Sequence, residues 1–304
     1  MNIGYTKLVI LMLMSSLSLA SEPITQKVKS NDANLYAVVY PKTGAETILL
    51  LHGGPGVPTD FQAIVKVLSK KYQLITFDQR GTGRSPSADS DYSMEAYIKD
   101  IDSITEHFNL PEFHIFGHSW GGLYAQIYAE KFPQKILSLF LCSPGSGTGE
   151  HWVQTESEVM AFNKSRTTFW QWMMMGINSV RGMFGSDSAY QSLFKQVITN
   201  YNKDFDDEFV ANDSMVKQVR ADPANKTREH LLSYPLLISP VNYRFPIIVQ
   251  YGEKDIYGAS KEHVVDRFPQ AQFIVIDDAG HFPWLNNAPK FQNVVMNFYH
   301  IDDL

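Results

Sequence analysis

The sequence predicts an α/β fold: a mostly parallel central sheet flanked by helices, with one helical insertion. Three observations carry this. Short apolar runs rich in Ile, Leu, Val and Phe alternate with helix-like stretches. Several of these runs are apolar throughout, as strands covered on both faces should be. The alternation stops near Pro144 and resumes after Pro246.

Strands are expected at Leu35 to Tyr40, Thr47 to Leu51, Gln73 to Phe77, Phe113 to Phe116, Ile136 to Cys142, Ile247 to Tyr251 and Gln272 to Ile276. Ile24 to Lys29 is a candidate edge strand. Helices are expected at Asp60 to Lys70, Met94 to Phe108, Leu123 to Phe132 and Ser260 to Phe268. Between the two halves, residues 145–240 are helical in tone and rich in Trp, Phe and Met. They are expected to form a cap over the carboxyl edge of the sheet, leaving residues 21–144 and 241–304 as the core domain. Most of the cap's aromatics should pack the cap itself, and some should line a substrate pocket beneath it.

The chain has 304 residues and is 44% hydrophobic, enough for a large core. A net charge of -6 without a basic cluster argues against nucleic acid as a partner. Lys7, the apolar run Leu8 to Met14 and the small-x-small ending Ser18-Leu19-Ala20 resemble a secretory signal peptide over residues 1–20, cleaved after Ala20. The run is too short and too broken by serines for a stable membrane span. Export, to a periplasm or the medium, is therefore expected. Cys142 is the single cysteine and lies in an apolar run, so it reads as a small buried hydrophobe. No metal-ligand spacing appears among the nine histidines, so neither metal nor cofactor is expected.

Gly117-His118-Ser119-Trp120-Gly121 reads Gly-x-Ser-x-Gly between an apolar run and a helix-like run. A strand turning sharply into a helix holds such a serine in a strained conformation and exposes its hydroxyl as a nucleophile. An ordinary glycine-rich turn can carry the same five residues, so the flanking strand and helix matter. A serine hydroxyl needs a base, and the base needs an acid to orient it. On a strand-to-helix elbow these follow in chain order as acid, then histidine. Asp255 follows one strand and His281 follows the next, each in a loop at a strand's carboxyl end. Glu253 is the local competitor of Asp255. His118 should point away from the hydroxyl.

The anionic oxygen of a tetrahedral intermediate needs fixed N–H donors. Trp120 should supply one from its backbone. The loop His52-Gly53-Gly54-Pro55-Gly56 should supply the other, from Gly54 with Gly53 as runner-up, since Pro55 has no N–H. Asp78-Gln79-Arg80-Gly81-Thr82-Gly83-Arg84-Ser85 lacks the phosphate-loop and dinucleotide patterns. Asp78 and Arg80 are expected to brace neighbouring loops, the oxyanion loop among them.

Together, His-Gly-Gly-Pro-Gly, Asp-Gln-Arg-Gly-Thr-Gly-Arg-Ser and Gly-His-Ser-Trp-Gly-Gly resemble the proline iminopeptidase family of α/β-hydrolases, with Gln79 and Trp120 sharpening the match. The resemblance implies an α/β-hydrolase fold, and removal of an N-terminal residue, preferably proline, from small peptides. It implies a triad at Ser119, Asp255 and His281. It also implies acidic cap residues that hold the substrate's ammonium group; Glu150, Glu156 and Glu158 are candidates by charge and nearness to the core. The expected protein is a metal-free serine hydrolase of a small molecule or short peptide. A carboxylesterase or lactonase on the same fold is the alternative, and a non-catalytic ligand receptor a remote one.

Overall fold

The computed structural model describes residues 22–57, 61–205 and 213–301. The expected leader lies outside the described residues. One sheet contains eight strands: β1 (Ile24–Ser30), β2 (Ala33–Tyr40), β3 (Thr47–Leu51), β4 (Gln73–Phe77), β5 (Phe113–His118), β6 (Ile136–Cys142), β7 (Ile247–Gly252) and β8 (Gln272–Ile276). Their order is β1-β2-β4-β3-β5-β6-β7-β8. The two pairings of β2 are antiparallel and all others are parallel. The helices are α1 (Gln62–Leu68), α2 (Met94–His107), α3 (Trp120–Lys131), α4 (Glu150–Ser165), α5 (Phe169–Met183), α6 (Asp187–Asn202), α7 (Asp213–Val216), α8 (Ala221–Ser233), α9 (Lys261–Arg267), α10 (Pro283–Asn286) and α11 (Ala288–Phe298).

The parallel centre follows from residue chemistry. All five residues of β3 are buried, and they alternate between two cores. Leu49 and Leu51 join Ile115, Leu139 and Val249 under α2 and α3. Ile48 and Leu50 join Phe116, Phe140 and Ile248 under α1 and α11. Period two with both faces apolar is why these strands read as continuous hydrophobic runs. Helix α2 buries Met94, Tyr97, Ile98 and Ile101 on one stripe, and Ser93 Oγ caps it by accepting the Ala96 N–H at 3.2 Å. Cys142 is fully buried, as expected, and its Sγ donates to Gln250 Oε1 at 3.1 Å.

Two departures bear on the site. Helix α3 starts at Trp120, three residues before the expected Leu123. Chain beyond β8 adds α10 and α11, two helices outside the expected set. Pro283 and Pro289 stand in their first turns, where the missing N–H costs nothing.

Candidate active site

The strand order reverses between β3 and β5, since the chain leaves β3 for β4 on one side and returns to β5 on the other. Loops at the carboxyl ends of strands diverge at such a point and leave a crevice. His52 to Gly56 leaves β3 there, Ser119 leaves β5, Asp255 follows β7 and His281 follows β8.

Ser119 alone joins β5 to α3, with φ 54° and ψ −119°. Positive φ is strained for any residue with a Cβ. The turn closes because its neighbours have none. A Cβ on Gly117 would lie 2.6 Å from the Gly121 carbonyl oxygen. One on Gly121 would strike the Leu51 carbonyl and lie 2.6 Å from that of His52. The Ser119 N–H donates to the Cys142 carbonyl at 3.0 Å, locking the turn to β6.

His281 Nε2 lies 3.0 Å from Ser119 Oγ, and His281 Nδ1 lies 3.0 Å from Asp255 Oδ1. Ser143 Oγ, at the end of β6, donates to Asp255 Oδ2 at 2.6 Å. The Tyr257 hydroxyl is 3.3 Å from Ser119 Oγ. Burial alone would raise the Asp255 carboxyl. The opposing charge of His281, with hydrogen bonds from His281 and Ser143, outweighs it and holds Asp255 below its ordinary range. Glu253 is not part of this chain of contacts; it accepts the Asp278 N–H at 3.3 Å instead.

His118 turns away from the hydroxyl, as expected. Its Nε2 lies 2.9 Å from the His281 carbonyl oxygen, behind the site. Burial, then the neighbouring His281, pushes its imidazole well below the ordinary value, so it stays neutral.

Gly53 and Gly54 line the cavity beside Ser119. Gly54 has φ 131°, a conformation reserved for glycine. The backbone N–H of Trp120 belongs to the first turn of α3, where no intrahelical acceptor exists. Its indole points the other way: Nε1 donates to Gln79 Oε1 at 2.7 Å. Gln79 Nε2 donates to the His52 carbonyl at 2.8 Å, and its N–H to His52 Nε2 at 3.0 Å. Gln79 therefore ties the glycine loop to the elbow. This corrects one part of the expectation for Asp78 and Arg80: neither hydrogen-bonds the glycine loop, although Arg80 does brace another loop. Asp78 binds Arg84 at 2.8 Å. Arg80 forks onto Asp100 at 2.7 and 2.8 Å and reaches Asp32 at 3.1 Å, bracing α2 and the β1–β2 turn.

A cavity of about 670 Å³ opens over Ser119. Helices α4 to α8 contribute most of its wall, including Trp152, Val159, Phe194, Ile198 and Tyr201. Of the three expected acids only Glu156 lines it. Arg228 grips Glu156 through two bonds of 2.6 and 2.8 Å. Glu158 is a correction: it faces away from the cavity wall and accepts from the Gly258 and Ser260 N–H groups at 2.7 and 2.9 Å. Glu150 is the other; it opens α4 outside the lining. Glu229, Arg228 and Tyr257 also line the cavity and are not among the expected site residues. Tyr257 and Ser143 carry a signal, since each sits in or beside a loop at a strand's carboxyl end. Glu229 carries none, because a helix surface full of charges does not announce which one faces inward.

An elbow serine, a histidine and a carboxylate at a parallel sheet's switch point define a class: hydrolases of α/β fold. The chain belongs to the family described as alpha/beta hydrolase fold, whose model matches residues 46–288. Within it the chain is proline iminopeptidase-like. It is 34% identical over 114 residues to a proline iminopeptidase of Lactobacillus helveticus (strain DPC 4571), a match spanning 36% of this chain and 39% of that protein. It is 25% identical over 264 residues to proline iminopeptidase PfmaB of Pestalotiopsis fici, covering 84% and 92% of the two. The solved structure of a proline iminopeptidase from Mycobacterium smegmatis superposes with a TM-score of 0.64 at 18% identity, over 91% of this chain and 98% of that one.

Proposed function

We propose that the protein is a serine hydrolase acting through an acyl-enzyme on a small amide or ester. The observation that supports this is the unbroken relay from Ser119 Oγ through His281 to Asp255 and on to Ser143, at 3.0, 3.0 and 2.6 Å. Ser119 attacks the carbonyl while His281 Nε2 takes its proton. Asp255, ionised at neutral pH, fixes the tautomer of His281 and balances the imidazolium. The N–H groups of Trp120 and Gly54 receive the oxyanion, each worth on the order of 3 kcal/mol. His281 returns the proton to the leaving group and then activates water. Helices α4 to α8 act as the cap that shields this chemistry from solvent.

For substrate we propose a short peptide with an N-terminal proline. The motif match and the carboxylates of Glu156 and Glu229 on the cavity wall support it, since a free ammonium group needs an acid. A second reading, a carboxylesterase or lactonase, is favoured by the apolar remainder of the wall and by Arg228, which already neutralises Glu156. Ser119→Ala should abolish turnover and labelling by a fluorophosphonate probe; labelling at the wild-type level would remove Ser119 from the mechanism. Proline anilide, p-nitrophenyl esters and acyl lactones separate the substrates. Fast ester hydrolysis with an untouched proline anilide would discard the peptidase reading.

A further inference from the structure

Helix α5 is amphipathic with its apolar side outward. Phe169, Trp170, Met173, Ile177 and Val180, with Phe184 just past its end, are 38% to 88% exposed. At 3.6 residues per turn these six positions fall within an arc of about 100°. The opposite side holds Met175, Asn178, Ser179 and Gly182, which face α6 and α8. Gly182 is there because the Tyr190 ring lies where a Cβ would stand. A surface helix normally turns its apolar stripe to the core. A contiguous outward stripe of this size marks a contact with something else.

Charge and position say what that is. From Val159 to Ser186 the chain carries Lys164, Arg166 and Arg181 and no carboxylate, in a protein of net charge -6. Arg166 pairs with Asp204, while Lys164, in the last turn of α4, and Arg181, in the last turn of α5, are both exposed. A second copy meeting this face through the same patch would bring the same cations and no acid to receive them. An anionic lipid surface supplies the complementary charge, and Trp and Phe suit the headgroup boundary. Outside the stripe, two exposed methionines reach the cavity. Met183 of α5 and Met160 of α4, 65% and 57% exposed, line both the surface and the space over Ser119. Among the described residues no helix is long and apolar enough to cross a membrane, so the contact is peripheral.

We propose that α5 docks the protein on an anionic phospholipid surface, with the cavity mouth turned toward the lipid. The test is co-sedimentation of the full chain with phosphatidylcholine vesicles, with and without phosphatidylglycerol. Binding should require phosphatidylglycerol, weaken with salt and shift tryptophan emission to the blue. The combined Trp170→Gln, Ile177→Gln and Phe184→Gln variant should lose about tenfold or more in affinity while its thermal unfolding is unchanged. Lys164→Gln with Arg181→Gln should erase the preference for phosphatidylglycerol. Absence of wild-type binding would overturn the proposal. So would undiminished binding of the triple variant, which assigns the contact to another part of the chain, the N-terminal apolar run included. A concentration-dependent dimer that the triple variant abolishes, without vesicle binding, would give the face to a second copy instead.

Discussion

Tyr257 brings a second hydroxyl to Ser119 Oγ, at 3.3 Å, alongside the His281 imidazole at 3.0 Å. Burial pushes its phenol above the ordinary range, so it keeps its proton. The tyrosine ring also stands perpendicular to the His281 ring, with centroids 5.3 Å apart. The serine oxygen thus has two polar partners, and in the proposed mechanism the phenol would help aim it. Tyr257→Phe should keep the ring packing and lose one neutral hydrogen bond. That predicts a fall in kcat of about fivefold with little change in KM, from steady-state kinetics. An unchanged kcat would leave Tyr257 a packing residue. Asp255 and His281 are legible in the sequence because motif order and strand-end position single them out. Tyr257 and Ser143 share the strand-end position but no motif order, so only their distances to Ser119 and Asp255 single them out.

The elbow is the element whose sequence and geometry correspond most directly. Glycines at 117 and 121 are dictated by carbonyl oxygens standing where a Cβ would be. Gly121→Ala should therefore displace α3 from β3 and cost several kcal/mol, with loss of activity, as read by chemical denaturation and turnover. Gly176 is the control. It lies exposed in α5 with open space for at least 4 Å around the place a Cβ would take, so Gly176→Ala should stabilise by about 0.5 to 1 kcal/mol. A neutral Gly121→Ala would mean that the turn does not need the close approach. Strand positions are readable at this scale because doubly covered strands leave unbroken apolar runs. Helices α10 and α11 are not, because a proline in a first turn and a proline that ends a helix look alike until the helix is seen.

Across the whole molecule, three buried imidazoles couple stability to pH. His52, His114 and His118 are each held below the ordinary value of 6.5, in every case by burial first. The unfolded chain takes up protons near 6.5 that the folded chain refuses. Stability is therefore fully present above 6.5 and is lost as the pH falls from there toward the folded-state values, by at most about 1.4 kcal/mol per imidazole per pH unit. Asp255, also depressed, adds to the loss at lower pH as it approaches protonation. Thermal melts from about pH 8 to pH 5 should show Tm level at first and then falling. His114→Gln, remote from Ser119, should flatten the fall; a slope that ignores it would take His114 out of the coupling. The buried Arg80–Asp100 pair holds its own part of the fold, at the β1–β2 turn and α2, rather than the glycine loop after β3.

By itself the sequence determined the sheet, the elbow and the order of Ser119, Asp255 and His281, since each is written in local periodicity or in a loop at a strand's end. Tertiary structure alone decided which acids face the cavity. Glu150, Glu156 and Glu158 share one helix and one charge, yet Glu158 is taken up by the Gly258 and Ser260 amides and Glu156 by Arg228. Tertiary structure also decided that Gln79, rather than Asp78 or Arg80, joins the glycine loop to the elbow. A partner more than twenty residues away leaves no mark on the sequence around it; only the packing of the chain brings the two together.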